Sequence, residues 1–157
     1  FDTGRGDGTR IGSHINSPYV FLAGKVPPAN NVVGIVRVAV WDSRDGTFVA
    51  KADVSEGIFS GLFDRMNLAV DALNRVVVAW DSQPAGYEQL QVAARVLAFN
   101  ESSKTFTPLT RSFLPFVNAA QTGNIRTFRM SVATTTRQIC IAARHRRCSA
   151  VVSAIAR

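Results

Sequence analysis

Short apolar runs rich in Val, Ile, Phe and Ala recur along the chain, with Gly, Pro, Asn, Asp and Ser clustered between them. Runs of this kind, bounded by turn-forming residues, are typical of β-strands. The one candidate helix, residues 54–73, contains two Gly residues and has weak helical periodicity, so we interpret it as a loop followed by a strand. The predicted strands cover residues 19–22, 32–41, 47–50, 68–70, 75–80, 90–99, 105–109, 131–134 and 139–142.

The strand pattern repeats along the chain. Residues 33–49 align with 91–107 at an offset of 58 without a gap, matching Arg37 to Arg95 and Phe48 to Phe106. A second similarity, at an offset of 64, joins residues 65–69 to 129–133. Each repeat holds about four strands, and tandem four-stranded units are typical of propeller blades. The sequence predicts an all-β fold of tandem four-stranded antiparallel units, a partial or oligomer-completed β-propeller, with a β-sandwich as the alternative.

The segment WDSRDGTF, residues 41–48, joins the third and fourth strands of the first complete repeat. It resembles the Asp-box of sialidase-like propellers, although one residue is missing on each side of Gly46. The copy at residues 99–106 keeps the aromatic residues and the Thr but loses both carboxylates. We therefore interpret the segment as a turn with Asp45-Gly46 at its centre and with Trp41 and Phe48 as packing anchors. The residues that carry the resemblance are Ser43, Asp45, Gly46, Thr47 and Phe48.

The run at residues 67–80 resembles the inner hairpin of secreted bacterial propeller repeats. This resemblance implies an extracellular or cell-surface protein. At about 60 residues per unit, the chain holds about two and a half units, whereas closed propellers have about four to eight blades. We therefore expect a fragment of a longer propeller, or a protomer that completes a ring by self-association.

The predicted organisation has three parts. Residues 1–16 form a flexible Gly-rich N-terminus, residues 17–143 a β repeat domain of about two blades, and residues 144–157 a basic tail that departs from the repeat. No apolar run approaches the ~18–20 residues that a membrane-spanning helix needs. We expect no membrane partner.

Charge is distributed unevenly. The net charge is +7, but residues 1–101 contain all eleven acids and nine basic residues, whereas residues 102–157 contain nine basic residues and no acid. A basic surface of this kind attracts polyanions. The alternative is a solvated basic face, because aromatic residues are not interleaved with the arginines as stacking platforms for nucleic acid require.

The two cysteines, Cys140 and Cys148, are too few for a zinc site, which needs about four ligands. A disulfide across a hairpin and two buried thiols are both consistent with the sequence. No cofactor or metal is expected. Calcium bound by Asp2 and Asp7 is the alternative, but the regularly spaced acids of calcium loops are missing.

Two groups of residues are candidates for ligand contacts. Arg5, Gly6 and Asp7 form an adhesion-like tripeptide in a Gly-rich terminus, for which a flexible segment without adhesion is the alternative. Three aromatic residues could stack on a sugar ring. Core packing is the competing role for the two tryptophans, whereas a Pro-Gly loop favours exposure of the tyrosine. These three residues are Trp41, Trp80 and Tyr87.

Candidate catalytic groups are few. A sialidase needs an arginine cluster and a Tyr–Glu pair, and Tyr87 and Glu88 would point to opposite faces if they were in a strand. The sequence therefore favours a non-catalytic module that presents propeller loops to a carbohydrate or protein partner. A fragment of a sialidase-like glycoside hydrolase and a polyanion-binding basic protein are the alternatives. The arginines available to a sialidase would be Arg37, Arg75 and Arg95.

Overall fold

The computed structural model describes residues 9–26, 34–56, 66–82, 91–112, 139–144 and 149–154. Within these ranges the regular secondary structure consists of ten β-strands and no helix. Their bounds are β1 Arg10–Ser13, β2 Tyr19–Val26, β3 Ile35–Asp42, β4 Thr47–Asp53, β5 Met66–Val70, β6 Arg75–Ser82, β7 Gln91–Asn100, β8 Thr105–Pro108, β9 Ile139–Arg144 and β10 Ser149–Ala154.

The strands form two four-stranded sheets and one hairpin. The first sheet has the order β1-β2-β3-β4 and the second the order β5-β6-β7-β8, and every neighbouring pair is antiparallel. Strands β9 and β10 form the antiparallel hairpin. The all-β prediction with tandem four-stranded antiparallel units is confirmed by these two sheets.

Two strands lie where no regular repeat was predicted. Arg10–Ser13 form β1 inside the segment that was assigned to a flexible N-terminus, and β10 lies in the segment that was assigned to an atypical tail. Strand β1 carries one large apolar residue and pairs through its backbone with β2, so hydrophobic periodicity could not reveal it. In the segment at residues 54–73, residues 54–56 are not helical and Met66–Val70 form the predicted strand as β5, whereas residues 57–65 lie outside the described residues. The strand predicted at 131–134 lies outside the described residues.

The two sheets pack face to face around one hydrophobic core. Alternate residues of β2, β3, β5 and β6 point into it, as the two-residue period of a strand requires. Strand β1 packs against β5 and β4 against β8, so the sheets stack in the same strand order. The largest fully buried side chains of this core include Trp80, Tyr19, Phe21, Leu97, Val36, Val38 and Val40.

Residues that match across the repeat point in opposite directions relative to this core. Strand β3 contributes Val36, Val38 and Val40, which match residues 94, 96 and 98 at the offset of 58. Strand β7 instead contributes Ala93, Leu97 and Phe99, which match residues 35, 39 and 41. The first sheet therefore presents one face of the repeat to the core, and the second sheet presents the other face.

Burial differs between the outer faces of the two sheets. Val77 and Val92, on the outer face of the second sheet, are 1% exposed, and Val96 is fully buried. On the outer face of the first sheet, Val20 and Trp41 remain partly exposed. The second sheet is thus covered on both faces, whereas the outer face of the first sheet is buried at Ala39, which is 2% exposed, and partly exposed at Val20 and Trp41.

Candidate binding site at the turn-bearing end

Four chain turns lie together at one end of the stacked sheets, at residues 14–18, 43–46, 71–74 and 101–104. They meet because both sheets run their strands in the same direction. The Ser17 hydroxyl donates to Asn74 Oδ1 at 3.0 Å, and the backbone N–H of Ser43 donates to the Pro18 carbonyl at 2.9 Å. We call this end the turn-bearing end.

The two hairpin turns at residues 43–46 and 101–104 are built in the same way. Asp42 Oδ1 accepts the backbone N–H of Arg44 at 3.1 Å, and its repeat partner Asn100 accepts that of Ser102 at 2.9 Å. Such side-chain-to-backbone bonds form Asx turns. The interpretation of WDSRDGTF as a turn is confirmed, because Asn100 replaces the carboxylate of Asp42 without loss of the turn.

The second acid of WDSRDGTF has a similar structural role. Asp45 accepts the Thr47 hydroxyl at 2.8 Å, and the matching hydroxyls of Ser103 and Thr105 lie 2.7 Å apart. The packing-anchor interpretation of the flanking aromatic residues needs correction. Phe48 is 54% exposed and Trp41 is half-buried, because both lie on the outer face of the first sheet.

The last position of each hairpin turn has a left-handed backbone. Gly46 has φ 71° and its repeat partner Lys104 has φ 54°. Glycine adopts this conformation without a steric penalty, whereas an L-residue with a side chain rarely does. The second turn thus places a lysine where the first has no side chain.

The Lys104 ammonium and the Arg44 guanidinium meet at Tyr19, the first residue of β2. Arg44 Nη2 donates to the Tyr19 hydroxyl oxygen at 2.7 Å, and Lys104 Nζ also donates to it. Both cations lie over the tyrosine ring, at 5.1 Å and 4.5 Å from its centroid. The ring itself is 1% exposed and packs edge-on against Phe99 at 5.0 Å.

A buried carboxylate anchors the two cations. Asp42 is 3% exposed and receives Arg44 Nε at 2.9 Å and Nη2 at 2.6 Å, while Lys104 Nζ lies 3.8 Å away. The hydrogen bonds from Arg44 lower the pKa of Asp42 to about 2, and the charge of Lys104 acts in the same direction. The Asp42 carboxylate also raises the pKa of Arg44 above its ordinary value.

This arrangement is a fixed cationic surface. One carboxylate neutralises one of the two cations, so the group formed by Tyr19, Asp42, Arg44 and Lys104 keeps one positive charge. The Arg44 side chain is 59% exposed and that of Lys104 is 36% exposed. Their free donor positions can bind an anionic oxygen, because charge-assisted hydrogen bonds are stronger than neutral ones.

A second arginine site joins the two sheets away from the turn-bearing end. Arg95 is 7% exposed, and its Nη1 donates to the carbonyls of Val54 at 3.2 Å and Asp53 at 3.4 Å. Its Nη2 lies 2.9 Å from Glu56 Oε2, and its Nε donates to the Thr110 carbonyl at 3.2 Å. Arg95 therefore binds the segment that leaves the first sheet.

The three arginines considered for a sialidase lie in three separate ion pairs. Arg37 Nε binds Asp53 at 2.6 Å, Arg75 Nε binds Asp71 at 2.5 Å, and Arg95 binds Glu56. The hydrogen bond that Arg37 donates to the Asp53 carboxylate raises the pKa of Arg37. Each guanidinium thus has a carboxylate partner of its own.

The aromatic candidates occupy different environments. Trp80 is fully buried in the core, and Trp41 lies half-buried on the outer face of the first sheet. Ligand contacts of both residues stay predictions. Tyr87, together with Glu88, lies outside the described residues, as do Arg5, Gly6, Asp7 and the calcium candidates Asp2 and Asp7.

The pairing of β9 with β10 bears on the prediction of a disulfide between the two cysteines. In the β9–β10 hairpin the backbone sets Cys140 opposite Ser153, and Cys148 lies outside the described residues. The hairpin register therefore does not set Cys140 opposite a cysteine, and a bridge between the two stays a prediction.

In the part of the chain that the structure describes, no group of three or more His, Cys, Asp or Glu side chains could hold a metal ion. The same ranges hold no helix that is long and apolar enough to cross a membrane.

Sequence reasoning missed Tyr19, Arg44 and Lys104 as members of one site. Tyr19 and Lys104 are 85 positions apart, and only the stacking of the sheets brings them together. The repeat contained a partial signal, since it aligned Lys104 with Gly46 at the tip of matching hairpins. It could not show that the lysine would reach the first sheet.

Comparison with known proteins adds no family. No protein-family model matches the chain, and neither a curated protein nor a solved structure matches it.

Proposed function

We propose that the chain is a non-catalytic binding module made of stacked propeller-type units, and that its turn-bearing end binds an acidic carbohydrate. The stacking of the sheets in one strand order supports the propeller-type arrangement. The packing of one face of the first sheet against the opposite face of the second sheet also supports this arrangement, because neighbouring blades of a propeller pack front to back. In a sandwich of two sheets related by a twofold axis, matching residues would instead face each other.

The cationic pair at Tyr19 carries the functional part of the proposal. Arg44 and Lys104 are held by a buried carboxylate and a buried phenol, so little side-chain entropy is lost when a ligand binds. Both heads reach solvent, and they lie on turns, where binding residues are commonly found. The carboxylate or sulfate of an acidic sugar fits this pair of donors.

In this proposal the acidic side chains of the site stabilise the turn and do not take part in catalysis. Asp42 is held ionised by Arg44, and Asp45 closes its turn by accepting the Thr47 hydroxyl. A general acid needs a proton to donate near neutral pH, whereas the pKa of Asp42 is about 2. These observations support binding over hydrolysis at this end.

The test compares two charge-removing variants of the whole chain. Lys104→Gln removes one of the two cations and leaves Arg44 on Asp42. Lys51→Gln makes the same change at an exposed position in the middle of β4. We expect Lys104→Gln to weaken binding of a sulfated or uronic-acid oligosaccharide about tenfold, the effect of roughly one lost charge-assisted contact. Lys51→Gln should leave the binding constant unchanged, as measured by calorimetry or on a glycan array.

A third variant separates this site from the basic C-terminal third. Arg146→Gln with Arg147→Gln removes two charges from that segment. Loss of binding in this variant alone, with Lys104→Gln still binding like the unchanged chain, would contradict the proposal. So would failure of the unchanged chain to bind any acidic oligosaccharide at low salt, where electrostatic attraction is strongest.

A further inference from the structure

The two hairpin turns at the turn-bearing end differ in charge at each of their matching positions. Residues 42–46 read DSRDG and residues 100–104 read NESSK, so one turn has a charged residue wherever the other has a neutral one. Two cations against three acids leave the two turns with a net charge of −1. The cationic pair therefore lies within a set of mixed charges. These charged residues are the cations Arg44 and Lys104 and the acids Asp42, Asp45 and Glu101.

Glu101 is the acid of the second turn, and hydrogen bonds hold it in place. Asn74, which is 6% exposed, donates Nδ2 to Glu101 Oε1 at 2.5 Å. Asn74 Oδ1 accepts the Ser17 hydroxyl at 3.0 Å, and Ser17 Oγ accepts the backbone N–H of Tyr19 at 3.2 Å. One chain of hydrogen bonds thus joins Glu101 to the tyrosine at which the two cations meet. A fixed carboxylate therefore belongs to the same site as the two fixed cations.

The turn does not need the charge of Glu101. Its repeat partner is Ser43, whose hydroxyl donates to the Pro18 carbonyl at 2.7 Å. Both side chains connect a hairpin turn to the neighbouring turn of the same sheet, and in the first unit a neutral hydroxyl does so. Glu101 is exposed, and Asn74 binds only its Oε1. The carboxylate can therefore also accept a hydrogen bond from a ligand hydroxyl, whereas it repels an anion.

We infer that Glu101 determines which acidic carbohydrate the turn-bearing end accepts: one whose acidic sugar is followed by a sugar with free hydroxyls, and not one whose following sugar is sulfated. The inference rests on the proposed function, because Arg44 and Lys104 must bind the acidic group. Glu101 then accepts a hydroxyl of the next sugar.

The selection against sulfate follows from the fixed position of the carboxylate. A sulfate on the next sugar would lie against Glu101, and like charges brought together disfavour a ligand. A mobile carboxylate could turn away, but the bond from the buried Asn74 amide holds this one. The site is therefore suited to a carbohydrate with isolated acidic groups, whereas a uniformly basic surface would favour the most highly charged one.

The test compares two ligands of the same backbone. One is a tetrasaccharide of alternating uronic acid and N-acetylhexosamine, and the other is the same tetrasaccharide sulfated on its hexosamines. Glu101→Gln removes the charge and keeps an oxygen that can accept the bond from Asn74. We expect it to strengthen binding of the sulfated form about threefold, the scale of an interaction between exposed charges, without strengthening binding of the unsulfated form. Calorimetry with the full chain at low salt measures both constants.

Two further variants serve as controls. Asp53→Asn removes a carboxylate that is 52% exposed at the opposite end of the first sheet, where the asparagine oxygen can still accept the bond from Arg37. It should change neither constant. Glu101→Ser introduces the residue of the first turn into the second and should act on the two ligands as Glu101→Gln does.

The outcomes separate this inference from the function on which it rests. Equal strengthening of both forms by Glu101→Gln would mean that Glu101 only repels the acidic group, and no change in either would mean that it does not face the ligand. Either result, with Lys104→Gln still weakening binding, would overturn the inference and leave the proposed function standing. Failure of the unchanged chain to bind either form would overturn both.

Discussion

At the scale of single residues, the hairpin turns show which features of WDSRDGTF belong to the fold. Asp42 and Asn100 cap their turns through the same oxygen position, and Asp45 and Ser103 both bond to the threonine that starts the next strand. The acids therefore have a shared structural role that an amide or a hydroxyl can fill. The feature specific to the first turn is the ion pair of Asp42 with Arg44.

That ion pair makes the stability of the fold depend on pH at acidic values. Binding to Arg44 lowers the pKa of Asp42 from 3.8 to about 2 in the folded chain. The stabilisation is therefore complete above the ordinary pKa and is lost as the pH falls from about 4 to about 2. Asp42→Asn should lower the melting temperature at pH 7, while the turn itself persists because Asn100 forms the same turn.

The measurement is the difference in melting temperature between the unchanged chain and Asp42→Asn, taken at pH 7 and at pH 2. We expect the difference at pH 7 to shrink strongly at pH 2, where Asp42 of the unchanged chain becomes protonated. An equal difference at both pH values would show that the charge on Asp42 does not stabilise the fold.

At the scale of strands and hairpins, the repeat predicts more than the positions of turns. The offset of 58 aligns the turn residues Gly46 and Lys104, both of which have a positive φ. It also aligns Arg37 with Arg95, although one lies on a half-open face and the other is buried between sheets. Equivalent positions thus have equal local geometry but different burial, because burial depends on what packs against each sheet.

The two arginines should differ in their contribution to stability. Arg95→Met removes the hydrogen bonds that its guanidinium donates to the carbonyls of Asp53, Val54 and Thr110, and we expect a loss of about 3 kcal/mol in the free energy of unfolding. Arg37→Met removes a partly exposed ion pair, which is worth less than about 1 kcal/mol. Urea denaturation of the two variants measures both values. Equal losses would mean that Arg95 does not hold the sheets together.

At the scale of the whole molecule, strand positions and the four-stranded unit could be predicted from the sequence, but the stacking could not. Short apolar runs locate β2, β3, β6 and β7, whereas β1 has too few apolar residues for such a signal. The site at Tyr19 depends on contacts between chain segments that are far apart in sequence. A single sequence does not show which distant segments come into contact. Arg44 and Lys104 could therefore be placed on turns, but their proximity could not be predicted.

The central claim is that the second sheet repeats the first in the same orientation, with the two hairpin turns at one end. Nitroxide labels at Asp45 and Ser103, both exposed in matching turns, test it most directly once Cys140 and Cys148 are replaced by Ser. Packed sheets lie about 10 Å apart, whereas a strand of β7's length spans about 30 Å. The claim predicts a label-to-label distance below about 25 Å by pulsed electron paramagnetic resonance. A distance of about 30 Å or more would place the turns at opposite ends of the sheets and contradict it.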